Sequence, residues 1–384
     1  MEQIYLDHAA TSWPKHPAVL HAVLLTMETA GGNPGRAGHK LAMQAARRLG
    51  AAREALARLL GAPDSSCISF TKNATEALNV ALLGLLRPGD HVVTTGVEHN
   101  SVMRPLRYLQ QQGVRLTVVP CAADGLVDPD DVRKTLTATT RLVVATHASN
   151  VLGTIQPIAQ LGEVAHKVGA HFLVDAAQTA GALPIDVQAQ GVDMLAFTGH
   201  KALLGPQGTG GLYVRPGVNL PPLLRGGTGS ASELEEHPEF APDRYEAGTP
   251  NVPGIAGLAA GAEHILNWGV ARVRAHEELL LTRFLDGLAN IPDVVVYGPR
   301  EPARRAGLVS LNLRGISPAA LGQALEEGYG ILTRVGLHCA PAAHRTAGTF
   351  PDGSVRFSFG GSTTLDHVNT SLKALEELSV HART

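Results

Sequence analysis

Five short apolar runs, Cys67 to Phe70, His91 to Thr95, Leu142 to Thr146, His171 to Val174 and Met194 to Phe197, constrain this chain more than any other feature. Segments of helical period separate them between about residue 16 and residue 255, and that alternation predicts a mainly parallel sheet covered on both faces. Leu49, Leu56 and Leu59 mark one such helix, with Arg47, Arg48, Arg53 and Arg58 left for its wet side. Each run ends in a polar cluster: Thr71-Lys72-Asn73-Ala74-Thr75, Glu98-His99-Asn100, His147-Ala148-Ser149-Asn150, Asp175-Ala176-Ala177-Gln178 and Thr198-Gly199-His200-Lys201. Parallel strands share one C-terminal edge, so these clusters are expected to meet where open α/β sheets bind ligands. Ordinary polar turns account for two or three of the clusters but not for their chemistry.

The texture changes after Gly254. Ile255, Leu258, Ala259, Ala262, Ile265 and Leu266 repeat at helical spacing, and Val273, Leu280, Phe284 and Leu288 continue it in a second helix. Strands are expected at Val294 to Tyr297, Leu308 to Leu313, Ile331 to Val335 and Val355 to Phe359, with a helix from Ser317 to about Glu327 and a last one carrying Val368, Leu372, Leu375 and Leu378. A chain of 384 residues exceeds one ordinary core. The pattern predicts a large α/β domain over residues 16–255 and a smaller α+β domain from residues 1–15 and 256–384.

A formal net charge of -2 gives no electrostatic reason to expect nucleic acid or an anionic membrane surface as partner. No apolar run approaches the roughly 20 residues that span a bilayer, and Met1 to Thr11 has no apolar core of a signal peptide, so a cytoplasmic location is expected. Three cysteines make no disulfide framework. Cys67 reads as a small buried hydrophobe, and Cys121 has no basic neighbour close in sequence. Cys339 lies among Arg334, His338, His344 and Arg345, surroundings that favour a thiolate. The spacing of His338, Cys339 and His344 fits no closed zinc site, and no metal is expected.

Lys201 follows a strand and precedes the glycine-rich Gly205 to Gly211, backbone that a ligand can approach closely, although alone it reads as an ordinary solvated lysine. Thr75 opens a helix whose buried stripe is Leu78, Leu82 and Leu85, so free N–H groups and a hydroxyl face whatever sits there. The chain has neither G-x-x-x-x-G-K-[ST] nor a G-x-G-x-x-G after a first strand, which points away from ATP and NAD as owners of a phosphate. Asp175 ends an apolar strand and needs a cationic or hydrogen-bonding partner, which a pyridinium nitrogen would be. A phosphate cradle, an acceptor for a ring N–H and a lysine able to form a Schiff base are what pyridoxal phosphate requires. Gln178 is close enough to donate to the ring oxygen, and His99 reads either as a cover for the ring face or as a hydrogen-bonded turn histidine. In Val355-Arg356-Phe357-Ser358-Phe359 the apolar residues alternate, so Arg356 points away from the buried face. It is either a solvated strand arginine or a bidentate clamp for an amino-acid carboxylate.

Eight motifs then carry a resemblance: Leu6-Asp7-His8-Ala9-Ala10-Thr11, Asn73-Ala74-Thr75-Glu76-Ala77, Glu98-His99-Asn100, Thr146 to Thr154, Asp175-Ala176-Ala177-Gln178, Thr198-Gly199-His200-Lys201, Glu246 to Asn251 and Arg334 to Ala340. In this order, over nearly the whole chain, the sequence resembles the cysteine desulfurases, of the class V aminotransferase group with the pyridoxal-phosphate fold type I. The resemblance implies Lys201 as the Schiff-base lysine, and Thr75, with Ala74 beside it, Thr198 and His200 as phosphate ligands. It implies Asp175 as the ring-nitrogen partner, Gln178 and Asn150 as contacts to the ring oxygen and substrate region, and His99 as the stacking acid/base. Thr249 resembles a threonine that reaches the phosphate of the neighbouring subunit, which implies a homodimer with shared sites. Arg356 resembles the arginine that holds the substrate carboxylate, with Arg334 and Asn150 on the same side, and Cys339 the nucleophile.

The implied activity is desulfuration of L-cysteine. The freed Lys201 amine takes the Cα proton, the Cys339 thiolate takes the sulfur as a persulfide, and alanine leaves. The loop from Gly336 to Gly353 would carry the sulfur to an acceptor protein, for iron-sulfur assembly or thio-modification. The short approach to Cys339 resembles the group II branch. Selenocysteine lyase and a cysteine or cystine β-lyase are the alternatives within enzymes; Lys201, Asp175 and Thr75 argue against a cofactor-free partner protein. Two places depart from the family pattern. His8 stands where its opening has asparagine, and Gly360-Gly361-Ser362 where it has an aromatic residue and an asparagine.

Overall fold

A computed structural model describes residues 3–35 and 38–381. Residues 1–2 and 382–384 of the expected small domain, and 36–37 of the large one, lie outside the described residues. The chain runs β1 (Ile4–Tyr5), α1 (Pro17–Thr29), α2 (Lys40–Leu60), β2 (Ile68–Thr71), α3 (Ala74–Leu85), β3 (His91–Thr95), α4 (Asn100–Gln111), β4 (Arg115–Val119), α5 (Pro129–Thr135), β5 (Thr140–Thr146), α6 (Ile158–His166), β6 (His171–Asp175), β7 (Met194–Thr198) and β8 (Gly210–Val214). It continues with α7 (Val252–Trp268), α8 (Val270–Leu288), β9 (Val294–Tyr297), β10 (Leu308–Leu313), α9 (Pro318–Tyr329), β11 (Ile331–Leu332), β12 (Arg334–Gly336), α10 (Pro341–Thr346), β13 (Ser354–Ser358) and α11 (Leu365–His381).

A seven-stranded sheet in the order β2-β8-β7-β6-β5-β3-β4 is parallel from β7 to β4. Its strands are apolar on both faces because each face is covered. Val143 and Ala145 of β5 join the core beneath α2, α6 and α7, while their neighbours Leu142 and Val144 join the core beneath α3 and α4. β8 is not among the expected apolar runs, yet it pairs antiparallel with β7 and β2. A Cβ at Gly211 would stand 2.4 Å from the Phe197 ring, so this pairing needs glycine there. Since β2 is antiparallel to β8, which is antiparallel to β7, β2 points the same way as β7. All five polar clusters therefore leave the same edge.

The second core gathers Leu280, Phe284, Leu311, Leu321, Phe357 and Leu375 around an antiparallel sheet in the order β12-β13-β10-β9. Ile4 and Leu6 belong to it, and β1 pairs with β11 in parallel. The single strand expected over Ile331 to Val335 is split, because β11 serves β1 whereas β12 serves β13. α7, which straddles the expected division at residue 255, sinks Ile255, Leu258, Ala262 and Ile265 into the large-sheet core. Arg53 is not on the wet side of α2. It donates to the Ile68 carbonyl at 2.6 Å, pairs with Glu246 and lies 4.4 Å over the Phe70 ring, fastening the Glu246 to Asn251 segment to β2.

Candidate active site

The edge of the large sheet assembles the predicted residues because each strand hands its chain to a capped turn. β2 passes to α3 through Asn73, whose side chain accepts from Glu76 N at 2.9 Å, while Glu76 accepts from Lys72 N at 2.6 Å. Thr75 is thereby held in the first turn of α3, exposed, next to the buried Ala74. β3 passes to α4 through His99, the N-cap, whose Nδ1 accepts from Ser101 N at 3.0 Å. That bond puts the ring proton on Nε2. Burial, with Lys201, Arg104 and Arg356 adding to it, pulls His99 down to about 4, so the imidazole is neutral near pH 7. Ser101 Oγ also lies 2.8 Å from both His99 Nδ1 and Thr75 Oγ1. Ser101 escaped the sequence reading; its signal was a hydroxyl two residues past His99 in the first turn of a helix.

Asp175, the last residue of β6, is 4% exposed and accepts from Ala177 N at 2.9 Å. Burial raises its pKa, against the Ala177 bond and the Lys201 charge. Lys201 has the converse environment: burial pulls its amine down to about 8, and Asp175 is the first group to pull it back. The tetrapeptide before it is set by packing. A Cβ at Gly199 would fall 2.2 Å from Thr209 Oγ1, and the His200 carbonyl accepts from Ser12 N at 2.9 Å and Lys15 Nζ at 3.0 Å. Thr198 Oγ1 and His200 Nδ1 are buried with no partner. Gln178 donates to the Ala9 carbonyl at 3.1 Å. The buried Glu98 accepts from Thr95 Oγ1 at 2.6 Å and Thr146 N at 3.0 Å, and burial pushes its carboxyl up to about 8.

The second sheet brings the other half of the site. Val355 and Phe357 face its core, so Arg356 does point away from it, but not into solvent: it is 3% exposed. Its Nη1 donates to the Asn150 carbonyl and its Nη2 to Asp7 Oδ1, both at 2.9 Å, and Nε has no partner. The solvated-arginine alternative is thereby removed. Arg334 is opposite Arg356 in the β12–β13 register and lies 4.0 Å from Asp7 Oδ2. Asn150 also donates through Nδ2 to the His338 carbonyl at 2.7 Å, and Asn100 N donates to the Cys339 carbonyl at 2.9 Å. These two bonds fix a turn in which His338 and Cys339 both have positive φ, 47° and 58°, and Cys339 is exposed.

Two features of this turn were not legible in the sequence. Its histidines are not cationic: burial, then Arg356, pulls His338 down to about 2, and burial pulls His344 down to about 4. Of the other basic neighbours, Arg345 lies 4.5 Å over the Phe350 ring. Nor is the segment from Gly336 to Gly353 a loose arm. It contains α10, packs Ala340 and Ala343 against Val97, Val151 and Leu152, and Thr346 Oγ1 donates to the Gly96 carbonyl at 2.9 Å. Thr249 is exposed and lines a separate groove of about 530 Å3 with Lys72 and Glu76, at 3.4 Å from Asn33 Nδ2.

A half-buried lysine and a buried carboxylate stand together at the C-terminal edge of a parallel sheet, with a helix N-terminus beside them, and the chain around them matches the aminotransferase class-V family. Its profile matches residues 4–370, and the chain belongs to it. Within that family the relatives are cysteine desulfurases. A probable cysteine desulfurase of Methanothermobacter thermautotrophicus is 37% identical over 98% of this chain and 95% of its own. The apo structure of cysteine desulfurase from Thermococcus onnurineus NA1 superposes with a TM-score of 0.92 at 36% identity, covering 99% of this chain and 95% of that one. The cysteine desulfurase CsdA from Escherichia coli gives 0.87 at 31% identity, with the same coverage.

Proposed function

We propose that this protein is a pyridoxal-phosphate-dependent L-cysteine desulfurase of the group II type that collects sulfur as a persulfide on Cys339. The observation that carries the reading is the meeting, around the half-buried Lys201 amine, of Asp175, Arg356 and the exposed Cys339, each near enough to act on its charge.

The residues fit the cofactor. Thr198 Oγ1 and His200 Nδ1 are buried polar atoms lacking partners, and Thr75 presents a hydroxyl in the first turn of α3, a set suited to a phosphate. Asp175 would face the ring nitrogen, Gln178 and Asn150 the ring oxygen, and His99 the ring face. Pyridoxal phosphate supplies an electron sink for the substrate Cα. Lys201, with an amine near its neutral form at pH 8, takes the Cα proton. Arg356 and Arg334 hold the carboxylate of L-cysteine, Arg356 in an orientation braced by Asp7 and Asn150. The Cys339 thiolate forms the new S–S bond as the substrate C–S bond breaks, and the carbon skeleton leaves as alanine after protonation. Exposed Cys339 then offers its outer sulfur to an acceptor protein.

A second copy of the chain completes the proposal. Leu20, Leu24 and Met27 form an exposed apolar stripe on α1, with Leu41 and Met43 exposed on α2, and Thr249 belongs to a groove apart from Lys201. A homodimer would cover the stripe and carry Thr249 to the partner's phosphate. The two-domain division and a reducing, cytoplasmic compartment for the unpaired thiols belong to the same proposal; no helix among the described residues is long and apolar enough to cross a membrane. Incubation with L-cysteine is expected to yield alanine and sulfur-loaded Cys339. Pyruvate and ammonia with unmodified Cys339 would instead identify a β-lyase, and Cys339→Ala retaining activity on selenocysteine alone a selenocysteine lyase.

A further inference from the structure

A cavity of about 660 Å3 adjoins the site described above. Lys201 and Gln178 touch it, but Arg356, Asn150, His99 and Cys339 do not. The two departures from the family pattern meet in its wall. A Cβ at Gly360 would fall 2.4 Å from His8 Nδ1, so the imidazole at 8 and the missing side chain at 360 fit one another. Trp268, Phe359 and Ile265 supply apolar surface.

Three polar side chains in the wall are left without what they need. Glu277 is 6% exposed with Oε2 unpartnered, and its neighbour Arg274 gives its Nε to Glu278 at 2.8 Å. His8 is 7% exposed with Nε2 unpartnered. Lys15 donates to Ser12 Oγ at 2.8 Å and to the His200 carbonyl at 3.0 Å, and forms no ion pair with the described residues. Burial pulls Lys15 down to about 8 and pushes Glu277 up to about 7, with Arg274 and the Gly307 N–H offsetting part of the latter. The Lys15 ammonium has been drawn partly from water without a counter-charge, and the Glu277 carboxyl with only the partial offset of Arg274. Burial likewise pulls His8 down to about 4, so its ring is neutral near pH 7.

We propose that this cavity binds a free α-amino acid with an apolar side chain, its carboxylate on Lys15, its ammonium on Glu277 and His8, and its side chain against Trp268 and Phe359. A zwitterion brings each wall group the charge it lacks, and the cavity has room for one beside Lys201. The cavity shares Lys201 and Gln178 with the proposed desulfurase site but not the carboxylate clamp at Arg356, and the charges that would hold the ligand come from Lys15 and Glu277.

The test is calorimetric titration of the holoenzyme with L-leucine, leucinol, which lacks the carboxylate, and 4-methylpentanoate, which lacks the ammonium. Leucine is expected to bind once per chain, with both analogues weaker by about tenfold or more, the loss of one charged hydrogen bond. Lys15→Met and Glu277→Gln should each weaken leucine by a similar factor, Gly360→Ala should weaken it by crowding His8, and Arg356→Lys should leave it unchanged. Alanine release from cysteine is followed separately in Glu277→Gln, where it should persist and certify the fold. The absence of leucine binding, equal binding of the analogues, leucine affinity unchanged in the folded Glu277→Gln protein, or loss of binding in Arg356→Lys would each overturn the assignment. Failure of wild-type protein to release alanine while leucine still binds would contradict the desulfurase reading alone.

Discussion

Lys201 and Cys339 serve the two ends of one proposed reaction, yet the chain holds them by different means. Lys201 follows a central strand with sheet neighbours on both sides, and its turn is fastened by Ser12 and Lys15 and shaped by contacts that only Gly199 permits. Cys339 stands in a turn of two residues with positive φ, held by the Asn150 amide and the N-terminus of α4. Left-handed backbone at non-glycine residues costs roughly 1–3 kcal/mol each, so those few bonds work against strain. The comparison teaches that the proton-transfer end is fixed by burial, whereas the sulfur end is exposed and rests on a few polar contacts.

The largest effect should come from the buried end. Lys201→Ala is expected to lower alanine formation by about a thousandfold, the scale of a lost general acid-base, and borohydride should fix pyridoxal phosphate to the wild type but not to the variant. Next comes Glu98. Burial holds its folded pKa at about 8, above the ordinary carboxyl value of 4.5. Between those values the unfolded chain has released the proton and the folded chain retains it, so stability falls as pH rises and levels off above about 8. Glu98→Gln should flatten that decline, with a gain on the order of 4 kcal/mol at pH 8 in denaturant titrations; an unchanged slope would remove Glu98 as its source. Arg356→Lys should raise KM for cysteine about tenfold, for loss of the bidentate fork, with a smaller change in kcat. The smallest effect is expected from Ser101→Ala, about 1 kcal/mol of stability, with a shift in the His99 ring signals by NMR as Nδ1 loses a partner.

Much of the fold was legible because local pattern sufficed. The limits of β3, β9 and β10 match the expected apolar runs residue for residue. β8 was not legible, since Gly210 and Gly211 are required by the close approach of Asn73 and Phe197, contacts that exist only once the sheet has formed. In the site, alternation gave the face of Arg356 but not its burial, which comes from Asp7 and Asn150, 349 and 206 positions away. The basic sequence around Cys339 misled for a similar reason: desolvation in the folded turn, invisible in sequence, makes His338 and His344 neutral. Ser101 was passed over because only the fold brings α3 and α4 together so that one hydroxyl reaches both Thr75 and His99.

The most direct test is to measure the products of L-cysteine for wild type and Cys339→Ala side by side, with mass spectrometry of the Cys339 peptide. The account predicts alanine and a persulfide on Cys339 from the wild type, and a variant that still binds pyridoxal phosphate but forms almost no alanine. Undiminished alanine formation by Cys339→Ala, or pyruvate and ammonia from the wild type, would contradict it.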